Sequence, residues 1–184
     1  MEKVKPVKLT NNKWLNLYSR KFSDGREYFF CTRRQEENIA KPNYIDAVRA
    51  LPYFVDNGKI KVVLIKEYRY PIEKEIFELP AGLVEQGENP DNAIIRELEE
   101  EIGAEVVKLD CSTEGFNSPG MTDEFSKTYF AEVKLVKSQH LDKGEKIDLH
   151  IIDLDQIPEV IKDGDFCLIS KALLMMFYYK NITK

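Results

Sequence analysis

The chain has 184 residues, of which 43% are hydrophobic, so it can bury a core and is not a disordered protein. Its 27 basic and 32 acidic residues leave a formal charge of −5, which argues against a basic nucleic-acid-binding surface. Its longest apolar run, Ala172–Tyr179, is far shorter than the roughly 20 residues that cross a bilayer, so no membrane partner is expected either.

The first elements predicted along the chain form a β-hairpin. Its two strands, which are rich in β-favouring residues, are predicted at Lys13–Tyr18 and Glu27–Arg33. Asp24-Gly25 between them is typical of a tight turn. The pattern then breaks around Pro42. The sequence therefore predicts an N-terminal β-arm over residues 1–43 and a main domain over residues 44–184.

The main domain mixes strands with helices. Its strands are predicted, in chain order, at Ala47–Val55, Lys61–Tyr68, Ala104–Leu109, Lys127–Val136 and His150–Leu154. Asp56-Asn57-Gly58 is a turn signal between the first two strands. Two late helices are predicted at Gln156–Lys162 and Cys167–Tyr179, and the apolar stripe of the second should pack on the sheet. This mixture predicts an α/β or α+β sandwich.

Capping residues delimit one further helix, in the middle of the chain. Asn89 can cap its N-terminus, and Pro90 is tolerated at the first helical position. The helix should run to Ile102, because Gly103 is placed to end it.

An acidic face lies beside the apolar stripe of this helix. At about 100° per residue, Glu97, Glu100 and Glu101 occupy one arc next to the core-facing residues. Like charges three and four residues apart repel one another and weaken a helix. One explanation is a solvated face on which Arg96 pairs with Glu100. The other is a divalent cation, since Mg²⁺ and Mn²⁺ prefer oxygen ligands.

The cysteines and histidines indicate a reducing compartment without a zinc site. The three cysteines are far apart and odd in number, which argues against a disulfide framework: Cys31, Cys111 and Cys167. Neither His140 nor His150 lies near a cysteine at the spacing of a zinc site. The charged first residues also lack the apolar stretch of a secretory signal. We therefore predict a cytoplasmic protein in which any metal is bound by oxygen.

The segment around the acidic helix resembles the Nudix box. Every specified position of that signature is filled here. The signature consists of Gly82, Glu88 after five further residues, and residues 96–104 after seven more. The resemblance implies a Nudix-type α/β/α sandwich with a mixed β-sheet, preceded here by the N-terminal β-hairpin arm. It also implies a loop–helix–loop that binds Mg²⁺, with Mn²⁺ possible, and hydrolyses a nucleoside diphosphate linked to another group.

The resemblance assigns roles to the residues of the box. Glu97 and Glu101 match metal-ligand positions, and Glu100 matches a further ligand or a general base. In one subfamily the carbonyl of the residue before the glycine, here Ala81, also binds metal. Three further residues would support the loop and orient the carboxylates: Gly82, Glu88 and Arg96.

A second segment resembles the ADP-ribose pyrophosphatase subfamily. Residues 116–124 contain a Ser-Pro-Gly motif, and its Pro119 lies sixteen residues after Gly103, as in that subfamily. Glu124 matches a loop glutamate that acts as general base, with Glu100 as the rival base. A carboxylate on a loop beside a metal site can deprotonate water, although an ordinary turn with acidic residues is the plain alternative. Met121 in the same loop is a predicted substrate contact.

Other predicted substrate contacts precede the box. Arg69, in a segment similar to one of the same subfamily, would pair with a substrate phosphate through its guanidinium fork, with a surface salt bridge as the alternative. In the arm, Trp14 matches an aromatic residue that stacks on adenine. Phe29 or Tyr28 would supply a second aromatic contact, and Arg34 or Arg33 a phosphate or ribose contact. Packing of the hairpin is the alternative for the aromatic residues.

Taken together, these resemblances imply hydrolysis of the pyrophosphate bond of ADP-ribose or a related nucleotide sugar. The products from ADP-ribose would be AMP and ribose 5-phosphate. The arm implies a homodimer. Two alternatives remain open: a Nudix hydrolase of another nucleoside diphosphate derivative, such as a GDP- or UDP-sugar or a dinucleoside polyphosphate, and a non-catalytic ADP-ribose-sensing module.

Overall fold

The structure is a computed structural model that describes residues 4–42, 44–141 and 144–182. It divides into two compact units, which do not coincide with the predicted arm and domain. The first unit combines residues 1–47 with residues 114–126, and the second combines residues 48–113 with residues 127–184. The residue at which we placed the boundary, Asn43, lies outside the described residues.

The first unit contains an antiparallel sheet of three strands in spatial order β1-β2-β3. Their bounds are β1 Val7–Lys8, β2 Asn16–Lys21 and β3 Glu27–Thr32. The predicted hairpin is confirmed as β2 and β3, with Tyr18 opposite Phe30. The turn uses Gly25, whose φ of 86° is costly for other residues. The third strand, β1, was not predicted.

The start of β2 is shifted relative to the prediction because side chains hold the preceding residues in a turn. The Asn12 side chain accepts a hydrogen bond from the Trp14 N–H (2.8 Å), and the Asn16 side chain accepts one from the Asn12 N–H (2.7 Å). Short polar side chains that bond the neighbouring backbone in this way compete with strand pairing. The strand therefore begins at Asn16 rather than at Lys13.

The remaining strands form one larger sheet. Their bounds are β4 Ala47–Asp56, β5 Lys59–Arg69, β6 Lys74–Glu78, β7 Ala81–Leu83, β8 Ala104–Phe116, β9 Phe125–Leu135 and β10 Ile147–Asp153. The spatial order is β10-β5-β4-β9-β8, with β6 beside β5 and β7 beside β4. The predicted β4–β5 hairpin is confirmed, and both Asn57 and Gly58 have positive φ at its turn, as type I′ turns require.

The helices of the described residues are α1 Pro90–Ile102, α2 Ile157–Asp163 and α3 Leu168–Ile182. Short 3₁₀ turns occupy Glu36–Asn38, Tyr70–Ile72 and Leu154–Gln156. None of the helices in the described ranges has the length and apolar character needed to cross a bilayer.

The larger sheet is buried on both faces. On one face α2 and α3 enclose a single apolar cluster made of Leu51, Val62, Leu64, Leu79, Ile157, Leu173, Leu174 and Phe177. The alternate β5 residues Val63 and Ile65 point to the other face and are also fully buried. Helix α1 packs against β7. The predicted sandwich of helices around a mixed β-sheet is confirmed.

Candidate functional site

Helix α1 carries the carboxylates of the box, and its ends are fixed as predicted. The Asn89 side chain accepts a hydrogen bond from the Asp91 N–H (2.8 Å), which caps the N-terminus. At the other end Gly103 adopts the left-handed conformation with a φ of 63°. A helix held at both ends presents its side chains in one orientation.

The last turn of α1 is also anchored through its backbone carbonyls. The His140 N–H donates to the Glu100 carbonyl (2.8 Å), and the Gln139 side-chain amide donates to the Glu101 carbonyl (2.7 Å). Carbonyls at helix C-termini otherwise lack partners. Two of the acidic residues are therefore held in place by the segment that follows β9.

Arg96 is the central cation of the box. Its guanidinium binds both carboxylate oxygens of Glu88 (3.1 Å each), one of Glu97 (2.7 Å) and one of Glu100 (3.1 Å). It also donates to the Leu83 carbonyl (3.2 Å). The hydrogen bonds to Arg96 lower the pKa of Glu88 and keep that carboxylate ionised. One side chain thus ties the loop before α1 to three glutamates.

Glu101 is the most deeply buried glutamate of the box, with 6% of its surface exposed. One carboxylate oxygen accepts a hydrogen bond from the Ala81 N–H (3.1 Å). Among the described residues no lysine or arginine pairs with this carboxylate. Burial, reinforced by the charge of Glu97, raises the pKa of Glu101 to about 9. A buried carboxylate without a cation is costly unless a ligand supplies the positive charge.

Gly82 lies directly against Glu97. A Cβ atom added at this glycine would overlap the Glu97 carboxylate. Burial raises the pKa of Glu97 too, although Arg96 opposes the shift. The glycine therefore allows the loop to pass within contact distance of a carboxylate that lies one helical turn from Glu101.

These groups suit a hard divalent cation. The buried Glu101 and the partly buried Glu97 offer carboxylate oxygens, and the backbone at Ala81 offers a carbonyl oxygen. Glu101 has no cation as a partner among the described residues. The described residues contain no group of three or more His, Cys, Asp or Glu side chains arranged to enclose an ion. Mg²⁺ does not need such a cage, because it usually takes one or two carboxylates together with waters and substrate phosphates.

Sequence reasoning missed two acidic neighbours of this pair. The charges of Glu67, on β5, and Glu145, on the loop before β10, both raise the pKa of Glu101. The charge of Glu145 acts on Glu97 as well. Both residues lie far from the box in sequence, so no spacing rule could have found them; only the pairing of β10 with β5 brings their segments together.

Arg69 already has acidic partners. Its guanidinium binds Glu78 and also Glu67, at 3.0 Å from the latter, while two-fifths of its side chain remains exposed. Arg49 on β4 differs, because its Nε and Nη1 atoms are buried without an acceptor among the described residues. Arg69, which we predicted to bind a substrate phosphate, is thus already in an ion pair. Arg49, which we did not predict as a site residue, has N–H groups that no acceptor among the described residues binds.

Glu124 lies in the first unit with the rest of the Ser-Pro-Gly loop. Its carboxylate accepts hydrogen bonds from the Asn117 side chain and from Arg33 (3.3 Å). The Asn117 amide also donates to Ser126 (2.7 Å). The Glu124 carboxylate is therefore oriented by an amide and a guanidinium, while a quarter of its side chain stays exposed.

The Arg34 side chain is buried in the interior of the first unit. Its side chain is 2% exposed and forms a bidentate pair with Asp46, at 2.9 and 2.6 Å. Asp46 in turn accepts a hydrogen bond from the Phe125 N–H (2.8 Å). These contacts argue against a substrate contact by Arg34. Of the two arginines considered, Arg33 is the more exposed one, with 43% of its side chain accessible beside its ion pair with Glu124.

The other predicted substrate contacts of the first unit are exposed. More than half of the surface is accessible for Trp14, Phe29 and Met121. The Tyr28 hydroxyl donates to the Gly120 carbonyl (2.7 Å), the residue after Pro119, so the alternative aromatic residue is used to hold the loop. That contact favours Phe29 over Tyr28 as a side chain available to a ligand.

The predicted site residues thus fall into two sets. The second unit brings together the box residues and holds Arg69: Arg69, Ala81, Gly82, Glu88, Arg96, Glu97, Glu100 and Glu101. The first unit holds the remaining ones: Trp14, Phe29, Arg34, Pro119, Met121 and Glu124.

The sequence was compared with those of known protein families and proteins. The sequence profile of the NUDIX domain matches residues 43–170. An ADP-ribose pyrophosphatase of Bacillus subtilis is 36% identical over 112 residues, which cover 60% of each chain. A methanol dehydrogenase activator of Bacillus methanolicus is 39% identical over 105 residues, covering 56% of this chain and 57% of the relative. The matches thus span somewhat less than two thirds of these relatives.

A solved structure shares the fold. The crystal structure of an ADP compounds hydrolase superposes with a TM-score of 0.71 at 21% identity, covering 98% of this chain and 97% of that one. At this level of identity the likeness concerns the fold alone.

Proposed function

The chain belongs to the Nudix family, and from that premise we propose that it hydrolyses the pyrophosphate bond of ADP-ribose or a related nucleoside diphosphate sugar. The products from ADP-ribose would be AMP and ribose 5-phosphate. The observation that carries the proposal is the buried Glu101 carboxylate, which adjoins Glu97 and lacks a cation of its own. The similarity to an ADP-ribose pyrophosphatase supports the choice of substrate.

We propose that Glu97, Glu101 and the Ala81 carbonyl hold Mg²⁺, with Mn²⁺ as a substitute. When bound, the ion offsets the charge of the substrate's phosphates and makes attack by water easier. The chain's own contribution is orientation. Arg96 fixes Glu97 and Glu100, and the backbone of β7 fixes Glu101. The exposed Glu100, held by one hydrogen bond to Arg96, is a further ligand or base.

Substrate contacts would come from cations and aromatic residues. Arg69, or Arg49 with its unused donors, would bind a phosphate, since a guanidinium matches phosphate oxygens well. Trp14 and Phe29 would stack on the adenine, and stacking is worth roughly 1–3 kcal/mol per base. Met121 would contact the substrate from the Ser-Pro-Gly loop.

We further propose that the protein is cytoplasmic and forms a homodimer through its arm. Cys31 and Cys167, the cysteines whose side chains the structure describes, are free thiols, which supports a reducing compartment.

The experiment that tests the function is a hydrolysis assay with ADP-ribose and Mg²⁺, with products separated by chromatography. We expect AMP and ribose 5-phosphate in equal amounts, and no cleavage after chelation of the metal. Parallel reactions should contain GDP-mannose, UDP-glucose and a dinucleoside polyphosphate. If one of these compounds is cleaved faster than ADP-ribose, that compound is the preferred substrate. Tight binding of ADP-ribose without cleavage of any compound would identify a sensing module.

Two variants should separate water activation from metal binding. Glu124→Gln is expected to lower kcat by about 100-fold without changing the Mg²⁺ concentration that gives half-maximal activity, because a positioned base typically contributes 10²–10⁴-fold. Glu145→Gln is expected to raise that Mg²⁺ concentration several-fold, because the charge of Glu145 acts on Glu97 and Glu101.

Steady-state rates measured across a Mg²⁺ titration provide both readouts. A normal kcat for Glu124→Gln would remove this residue from the mechanism and leave Glu100 as the candidate base. Glu159→Gln, on exposed α2 surface, is the matched control and should change neither quantity.

A further inference from the structure

The two residues that flank Glu124 are both held by one buried ion pair, formed by Arg34 and Asp46. The Asp46 side chain accepts a hydrogen bond from the Phe125 N–H (2.8 Å), and the Asp46 N–H donates to the Phe125 carbonyl (2.8 Å). On the other side of Glu124, a carboxylate oxygen of Asp123 lies 3.6 Å from the Arg34 guanidinium. The chain is therefore attached to the same ion pair directly before and directly after the proposed base.

The ion pair is itself fixed within the first unit. Both side chains of the Arg34–Asp46 pair are buried. Every nitrogen of the Arg34 guanidinium has an acceptor: Nε binds Asp46 (2.9 Å), Nη2 binds Asp46 (2.6 Å) and the Tyr44 carbonyl (3.1 Å), and Nη1 binds the carbonyls of Lys41 (3.3 Å) and Asn38 (3.4 Å). A guanidinium saturated in this way has a single orientation, so it is a rigid support for the residues attached to it.

The contacts of Asp123 come at a cost in stability. The Ala40 N–H donates to the Asp123 oxygen that faces Arg34 (3.2 Å), and Ala40 adopts a φ of 58°, which is unfavourable for a residue with a Cβ atom. The other Asp123 oxygen is buried without a hydrogen-bond donor among the described residues. A buried acceptor without a partner is costly. An ion-pair network that served only stability would need neither feature.

We propose that Arg34 and Asp46 are positioning residues for Glu124, an inference that rests on the proposed role of Glu124 as general base. Asn117 and Arg33 orient the Glu124 carboxylate, whereas the buried pair fixes the backbone from which it extends. A base must lie within hydrogen-bond reach of the water that it deprotonates, and a displacement of about 1 Å can cost 100-fold in rate. Arg34 thus serves the reaction from the interior, without touching substrate.

Asp46→Asn tests the attachment on the Phe125 side. Asparagine keeps the size of the side chain but removes the charge that pairs with Arg34. We expect kcat for ADP-ribose with saturating Mg²⁺ to fall by about 30-fold while KM changes by less than about twofold, because water activation is lost and substrate contacts are not. A normal kcat for Asp46→Asn would overturn the proposal.

Asp123→Asn tests the attachment on the other side and covers the case in which Asp46→Asn does not fold. Because this contact with Arg34 is longer and Asp123 less buried, we expect a smaller loss of kcat, about fivefold, again with little change in KM. Asp24→Asn is the matched control. Asp24 also pairs with an arginine of the first unit, Arg26, but it is exposed in the β2–β3 turn and should change neither constant.

A double-mutant cycle separates positioning from a general effect on the fold. If the pair acts through Glu124, Asp46→Asn should lower kcat by less than about twofold once Glu124→Gln is present, because no base is left to place. Losses that multiply in the combined variant would overturn the proposal. A normal kcat for Glu124→Gln alone would also overturn it, whereas cleavage of ADP-ribose by the wild type would still support the proposed function.

Backbone NMR relaxation tests the positioning without substrate. We expect the order parameter of the Glu124 amide to be about 0.85 in the wild type and in Asp24→Asn, and to fall below about 0.6 in Asp46→Asn. An unchanged order parameter in Asp46→Asn would overturn the proposal. A wild type that cleaves none of the compounds would refute the proposed function alone, and this measurement would still decide whether the pair holds Glu124.

Discussion

Glu101→Gln is expected to reduce Mg²⁺-dependent turnover by about 1,000-fold, which corresponds to about 4 kcal/mol of transition-state stabilisation. The variant keeps the size of the side chain and its ability to accept the hydrogen bond from the Ala81 N–H. It removes the negative charge that we propose holds the metal. The measurement is kcat with saturating Mg²⁺, and near-normal turnover would exclude Glu101 as a ligand.

The same variant should not destabilise the metal-free protein. The pKa of Glu101 is raised to about 9, so in the folded, metal-free state the carboxyl is protonated near neutral pH, whereas in the unfolded chain it ionises above about pH 4.5. Its contribution to stability is therefore fully present below about pH 4.5 and is lost progressively as the pH rises towards 9. Thermal unfolding in chelator should show a smaller loss between pH 5 and 9 for Glu101→Gln than for the wild type.

Glu99→Gln is the matched control for both measurements. Glu99 lies on the same helix turn but is exposed and pairs with Lys137. Neutralising it removes one surface ion pair, worth roughly 0–1 kcal/mol. Turnover should stay within twofold of the wild type. If Glu99→Gln lowered turnover as much as Glu101→Gln, general loss of negative charge on α1 would explain both results.

Gly82→Ala is expected to lower turnover by about 100-fold and to increase the Mg²⁺ requirement. The new methyl group would overlap the Glu97 carboxylate, which must swing away from its position beside Glu101. Because the obstructed atoms are the end of a flexible side chain, we expect the fold to survive and the ligand geometry to be lost. Displacements of about 1 Å at catalytic groups can cost 100-fold in rate.

Gly115→Ala is the control for the glycine substitution. A Cβ atom at this position would meet nothing within 4 Å, so neither turnover nor the melting temperature should change appreciably. The Mg²⁺ titration and a thermal melt distinguish the two outcomes for Gly82→Ala. A melting temperature that falls together with activity would show that the glycine serves folding rather than the placement of Glu97.

The parts of the site that sequence could predict are local. The limits of α1 follow from Asn89, Pro90 and Gly103, which act through their own backbone and side chains within a few residues. The crowding of Glu97, Glu100 and Glu101 follows from the helical repeat alone. The pairing of Arg96 with Glu100, four residues on, is equally local.

The parts that sequence could not predict depend on contacts between distant segments. Arg69 binds Glu78 across the β5–β6 pair, although the register places Arg69 opposite Lys74 and Glu78 opposite Ile65. Arg33 and Arg34 are adjacent in sequence, and only the position of Asp46 decides that the second is buried. The apolar residues of α3 read as one stripe, yet burial divides them into two faces. Each of these outcomes needs a partner that is remote in sequence.

The discontinuous first unit has a consequence for how the protein folds during synthesis. Its two segments are joined by hydrogen bonds that span about 90 residues, such as those from the Cys31 N–H to the Met121 carbonyl and from the Tyr28 hydroxyl to the Gly120 carbonyl. Closing contacts of such long range is slow compared with forming hairpins. Strands β2 and β3 therefore leave the ribosome well before their partner segment. Their aromatic residues cannot make these contacts until residue 126 has emerged. A stalled chain that ends before this point would expose these residues to aggregation and to proteolysis.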